Sequence, residues 1–185
     1  MASRETALQS VEAESSSHRI ADAGSIMARA GLIPDAQRML KSIDPQDTTV
    51  ASHVARLRLS GEILLAKKLC QQALAELKKA KALDQEQGRL RDYWGHALSA
   101  CGHQDEAAAE FARLISRPGQ VWHQPEGYMP GTNADLLFEY GSAAWRVGKP
   151  QAKAALEQYV SLRSMSDPEL LEPIEAHAML MKAVH

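Results

Sequence analysis

The chain has 185 residues, with 21 Lys+Arg against 23 Asp+Glu for a net charge of −2, and is 45% hydrophobic and 24% charged. That composition fits one soluble domain, or one domain with an appendage, and excludes collagen, coiled rods, disulfide scaffolds and wholesale disorder. A near-neutral balance with few aromatic residues (3 Trp, 4 Tyr, 2 Phe) gives no electrostatic reason to expect nucleic acid or an anionic membrane as partner.

Residues 1–17 carry charges where a signal peptide has its apolar stretch, close on Ser15-Ser16-Ser17, and read as a flexible or weakly helical extension. No window approaches the roughly 18 apolar residues of a membrane helix, so the expected location is the cytoplasm. A helical repeat domain is expected over 18–185. Its first hairpin spans about 19–43, with Gly31 at the turn and Pro34 just after it, where a proline forfeits no intrahelical bond. The second spans about 47–83, with Gly61 read as its turn and a long second helix. The third spans about 88–116 around Gly102, and the fourth about 134–163 around Gly148 and Pro150. Between them, RPGQVWHQPEGYMPGTN (117–133) holds three prolines and three glycines and cannot form a continuous helix. Its Val121, Trp122, Tyr128 and Met129 predict an ordered loop packed on the body. Ser166-Asp167-Pro168-Glu169 then supplies a cap, a first-position proline and an acidic first turn for a last helix, about 168–184, covering the end of the stack.

The hairpins rest on a repeated spacing. Gly31 is followed at five residues by Ala36 and four later by Leu40; Gly61 leads likewise to Ala66 and Cys70, and Gly102 to Ala107 and Phe111. Seven residues before these stand Gly24, Val54 and Gly95, and Gly141 precedes Gly148 by the same interval, the downstream part slipping by a residue in the fourth unit. A glycine ends a helix by taking the left-handed conformation, small residues let two backbones approach, and the bulky residue fills the next turn. Gly95, Gly102, Ala107 and Phe111, with Gly61, Ala66, Cys70 and Ala73, resemble the tetratricopeptide repeat over about residues 19–163. The glycine intervals of 30, 41 and 46 (31 to 61, 61 to 102, 102 to 148) depart from a regular array of about 34, so the repeats are degenerate. The stretch from Ala144 onward is also similar to the repeat modules of bacterial eukaryotic-like kinases and regulators, without a kinase or DNA-binding segment here. The resemblance implies an all-α fold, a right-handed α-solenoid of about four degenerate hairpins with a capping helix.

Chemistry-bearing motifs are sparse. His96, Cys101 and His103 form the densest metal-type group, yet they straddle a helix end and lack a fourth ligand, and they read as a part-buried cysteine with surface histidines. Cys70 and Cys101 have no C-x-x-C neighbour, which leaves a disulfide open without indicating one. No phosphate loop, nucleophile elbow or dinucleotide fingerprint occurs. Asp105 and Glu106 sit where a first helical turn favours negative charge, so no catalytic residue, metal site or cofactor is expected. Lys67, Lys68, Lys78, Lys79 and Lys81 read as a solvated face.

Carried over from the family, the groove-facing positions of the first helices are Ser25 and Arg29, Ala55 and Arg58, Asp92, His96 and Ser99, and Phe138, Ser142, Trp145 and Arg146. The Lys and Asn residues of the family's chaperone-binding carboxylate clamp are missing from them. Three arginines among these positions imply an acidic segment or a chain-end carboxylate as ligand. The bland alternative packs Phe138 and Trp145 into core. The expected function is a non-catalytic protein- or peptide-binding scaffold. The rival is a small-ligand sensor regulating a separate catalytic or DNA-binding partner, marked by an enclosed pocket near Trp122, Tyr128 and Trp145. A third reading is a homo-oligomer joined through an apolar solenoid end.

Overall fold

The computed structural model describes residues 4–86, 92–117, 132–163 and 171–182. Among them are nine α-helices and no strand, so the fold is all-α: α1 Arg4–Arg29, α2 Ile33–Ser42, α3 Val50–Ala66, α4 Cys70–Glu86, α5 Tyr93–Ala100, α6 Gln104–Ile115, α7 Thr132–Arg146, α8 Gln151–Leu162 and α9 Leu171–Lys182. The chain divides into two compact units, Met1–Gly88 with α1 to α4 and Arg89–His185 with α5 to α9. Helix α1 is continuous from Arg4, so the triple serine lies inside it and no break falls at 17. The expected packed loop around Trp122 and Tyr128 lies outside the described residues, as do the cap residues 166–169.

Four helices end in one motif. Residues 31, 68, 102 and 148 have φ of 79°, 60°, 84° and 71°, the left-handed region. In each case the next N–H reaches back to a carbonyl five residues earlier: Leu32 to Met27, Leu69 to Leu64, His103 to Leu98, and Lys149 to Ala144, at 2.8 to 3.0 Å. These are Schellman turns, which satisfy carbonyls the helix end would otherwise leave open. The second turn corrects the sequence reading. Its left-handed residue is Lys68, and Gly61 lies inside α3.

With Lys68 in place, the turn intervals become 37, 34 and 46 (31 to 68, 68 to 102, 102 to 148). Gly24, Gly61, Gly95 and Gly141 then all fall seven residues before a turn. Each is a point of close approach. A Cβ on Gly61 would stand 2.4 Å from Leu77 Cγ, one on Gly95 2.6 Å from Phe111 Cε1, and one on Gly141 2.7 Å from Leu156 Cδ2. In unit 1 the second helix is short, and Gly24 instead admits Leu59 of α3, whose Cδ1 would lie 2.7 Å from such a Cβ. Ala36, Ala73 and Ala107, five residues past their turns, are fully buried. Burying Leu77 or Phe111 over these glycines contributes about 2–3 kcal/mol each.

In unit 1, α1 packs on α2 and α3, and α3 on α4. Its core joins Ala21, Ala28, Ala36 and Ala55 to Ile43, Leu59 and Ile63; the alanines bring the backbones close and the larger residues fill the remainder. The connection into α3 is fastened by its own polar groups. The Thr49 hydroxyl accepts from Ser52 N at 3.2 Å, and Arg56 donates to the carbonyls of Asp44 and Asp47 at 2.6 and 3.0 Å. Asp47 accepts from Thr49 N at 2.9 Å, and that bond holds its carboxyl below the ordinary aspartate range.

In unit 2, α5 packs on α6, α6 on α7, α7 on α8, and α9 on both α8 and α7. Phe138 and Tyr159 rings meet at 5.2 Å within a core that includes Leu156 and Ala176. Ala176, Met179 and Leu180 give α9 its inward face, leaving Ile174 and Met181 exposed.

Candidate functional site

In unit 1 the two first helices, α1 and α3, are joined along one side by three polar contacts. Ser17 and Ser52 hydroxyls meet at 3.1 Å, Asp22 pairs with Arg58, and Arg29 forks onto Glu62 through Nε at 3.2 Å and Nη2 at 2.7 Å. The offsets are 35, 36 and 33 (17 to 52, 22 to 58, 29 to 62), in the same order along both helices, so α1 and α3 run parallel.

This arrangement decides what the carried-over arginines do. Arg58 is spent inside the fold, its side chain only 9% exposed. Arg29 remains open to solvent, but its fork is committed to the buried Glu62 carboxylate. Ser25 and Ala55 are buried as well. The expected row of guanidinium groups waiting for an acidic ligand is therefore absent from this face. Asp22 and Glu62, which the sequence reading left out, are the reason. Each stands about one repeat length from its arginine, a signal visible only once the helix register is known.

In unit 2 the first helices are α5 and α7. His96 is half-buried between them, with Nε2 3.3 Å from Asp92 Oδ2 and Nδ1 3.4 Å from Glu139 Oε1. Its ring stands edge-on to Phe111, centroids 5.4 Å apart at 73°. One turn further on, Arg146 donates to the Ser99 hydroxyl at 3.4 Å, a long and weak bond. Arg146 is exposed. Ser142 is buried, Phe138 is 9% exposed within the core, and Trp145 packs partly buried against the same cluster. The packing thus assigns Phe138 to the interior. Asp92, His96, Ser99 and Arg146 come together on one face, with Glu139 as the member that sequence reasoning missed.

The remaining chemistry is structural. Cys70, at the start of α4, and Cys101, in the turn after α5, are not free thiols. Among the described residues no group of three or more His, Cys, Asp or Glu is placed to hold a metal ion. Lys67 and Lys68 belong to the α3–α4 turn, and Lys79 pairs with Glu76 at 2.8 Å. No described helix is long and apolar enough to cross a membrane. The pocket expected near Trp122 and Tyr128 lies outside the described residues. A cavity of about 520 Å³ does open in unit 1, beside α2, α3 and α4. No protein-family model, no characterised protein and no solved structure matches this chain.

Proposed function

We propose that the chain is a non-catalytic scaffold, a tetratricopeptide-like right-handed solenoid acting in the cytoplasm, which binds an acidic protein or peptide segment along the first helices of its hairpins. The observation that carries this reading is the pairing of first helices. In unit 1, α1 and α3 lie side by side and parallel, and in unit 2 residues of α5 and α7 meet through His96–Glu139 and Ser99–Arg146. The second helices close each hairpin through the same turn, so the first helices form the surface that repeats. In unit 1 that surface is self-neutralised by Asp22–Arg58 and Arg29–Glu62. In unit 2, Arg146 keeps an exposed guanidinium whose hydrogen bond among the described residues is the long one to Ser99, and it is the acid-recognising contact.

A displayed peptide library selected on the full chain tests this. Acidic peptides are expected, and Arg146→Glu weakens them by about tenfold, the loss of one charge-assisted contact. Because Arg146 is exposed, circular dichroism of the variant stays that of the wild type. Selection without acidic bias, or equal affinity for both proteins, overturns the reading.

A further inference from the structure

The cavity in unit 1 lies away from the groove. Along α3 its residues are His53, Arg56, Leu57 and Ser60, whereas the face toward α1 carries Ala55, Arg58 and Glu62. At about 100° per residue these two sets fall on opposite sides of one helix. The cavity is open to solvent and is bordered by the end of α2, by the connection that follows it, and by Glu76 of α4. Its volume, about 520 Å³, lies within the range of about 300–1,000 Å³ in which small-molecule sites fall.

Its lining divides into two parts. Leu40, Ile43 and Leu57 supply an apolar wall. The polar members are unevenly balanced. Glu76 is the acidic residue of the lining, and Lys79 already pairs with it at 2.8 Å. Arg56 is fixed by its bonds to the carbonyls of Asp44 and Asp47, with the Asp47 carboxyl turned to Thr49 N. The side chains of Lys41 and His53, both exposed, make no hydrogen bond or ion pair among the described residues. A largely apolar pocket whose uncommitted polar side chains are the Lys41 ammonium, the His53 imidazole and the Ser60 hydroxyl, all able to donate, complements a ligand with an apolar body and a single negative charge.

We infer that this cavity binds an amphipathic small-molecule carboxylate, its apolar body against Leu40, Ile43 and Leu57 and its carboxylate at Lys41 and His53. The site is independent of the peptide groove, since neither Lys41 nor His53 belongs to it. The carboxylate head supplies direction, and burial of the apolar body supplies affinity.

Isothermal titration of the full chain with decanoate, decan-1-ol and acetate, below micelle-forming concentrations, tests the inference. Decanoate is expected to bind saturably, one molecule per chain. Decan-1-ol, which lacks the charge, binds about tenfold more weakly. Acetate, which lacks the apolar body, gives no saturable heat. Lys41→Glu, a surface change that leaves the helical signal intact, weakens decanoate by about tenfold or more. Amide shifts caused by decanoate map to residues 40–60 and 76. Decanoate binding that Lys41→Glu leaves unchanged, that decan-1-ol equals, or that maps to unit 2 overturns the proposal, as does the absence of saturable binding.

Discussion

The Asp22–Arg58 pair shows how unequal two ends of one ion pair can be. The Arg58 side chain is 9% exposed and Asp22 is 26% exposed, so the guanidinium depends on its partner while the carboxylate retains access to water. Removing the partner of a buried charge costs far more than removing both charges, because the orphan stays desolvated. Asp22→Ala is therefore expected to destabilise unit 1 by about 3 kcal/mol. Arg58→Met, which fills the same space without charge and leaves a carboxylate that water reaches, costs about 1 kcal/mol. Urea unfolding of both variants checks the order. Equal losses, or a larger one for Arg58→Met, mean that the pair is not buried as described. By the same contrast, Arg58→Glu would disturb the fold, since it would set a second carboxylate against Asp22.

At the scale of the helix ends, Lys68 does what glycine does at 31, 102 and 148. A Cβ in the left-handed region costs about 1–2 kcal/mol, and a glycine there recovers part of it after its larger freedom in the unfolded chain is counted. Lys68→Gly is expected to raise stability by about 0.5–1 kcal/mol. Gly102→Ala lowers it by about 1–2 kcal/mol, because nothing lies within 4 Å of the added methyl and the whole effect is backbone strain. Thermal unfolding reads both, and a loss in the first variant or no loss in the second contradicts the turn assignment. Lys68 also marks where the sequence was legible and where it was not. Gly31, Gly102 and Gly148 announce their turns because glycine alone takes that conformation freely. Lysine carries no such signal, and the nearest glycine, Gly61, is instead a close-approach residue over Leu77. The places of Arg29, Arg58 and Arg146 on first helices came from the resemblance to the repeat family, and α1, α3 and α7 do carry them. Their fates were not legible, because Asp22 and Glu62 sit 36 and 33 residues from their arginines and meet them only through the register of two packed helices. Phe138 likewise reads as a groove aromatic until Tyr159, 21 residues on (159 − 138), is set against its ring.

Among the described residues, two hydrophobic clusters each lie within one unit. The cluster around Leu59 and Ile63 draws all its members from residues 20–66, and the cluster around Leu156 and Tyr159 draws all its members from residues 115–180. A hydrophobic core, not a repeat count, determines what folds alone. Both units hold helices that cover one another's apolar faces: α1 covers α3 in unit 1, and α9 covers α8 in unit 2. Fragments 1–88 and 89–185, with Cys70 and Cys101 replaced by serine because neither is a free thiol in the whole chain, are therefore each expected to be helical by circular dichroism and to unfold cooperatively in urea. Each fragment buries a smaller fraction of its surface than a larger domain does, so the midpoints are low rather than absent. If either fragment gives a non-cooperative transition, its core is incomplete. The two proposed activities also separate along this division. Arg146 lies in 89–185, and Lys41 and His53 lie in 1–88. Acidic-peptide binding should follow the second fragment and decanoate binding the first. Loss of both activities from two cooperatively folded fragments would place the binding determinants away from Arg146 and from Lys41 and His53.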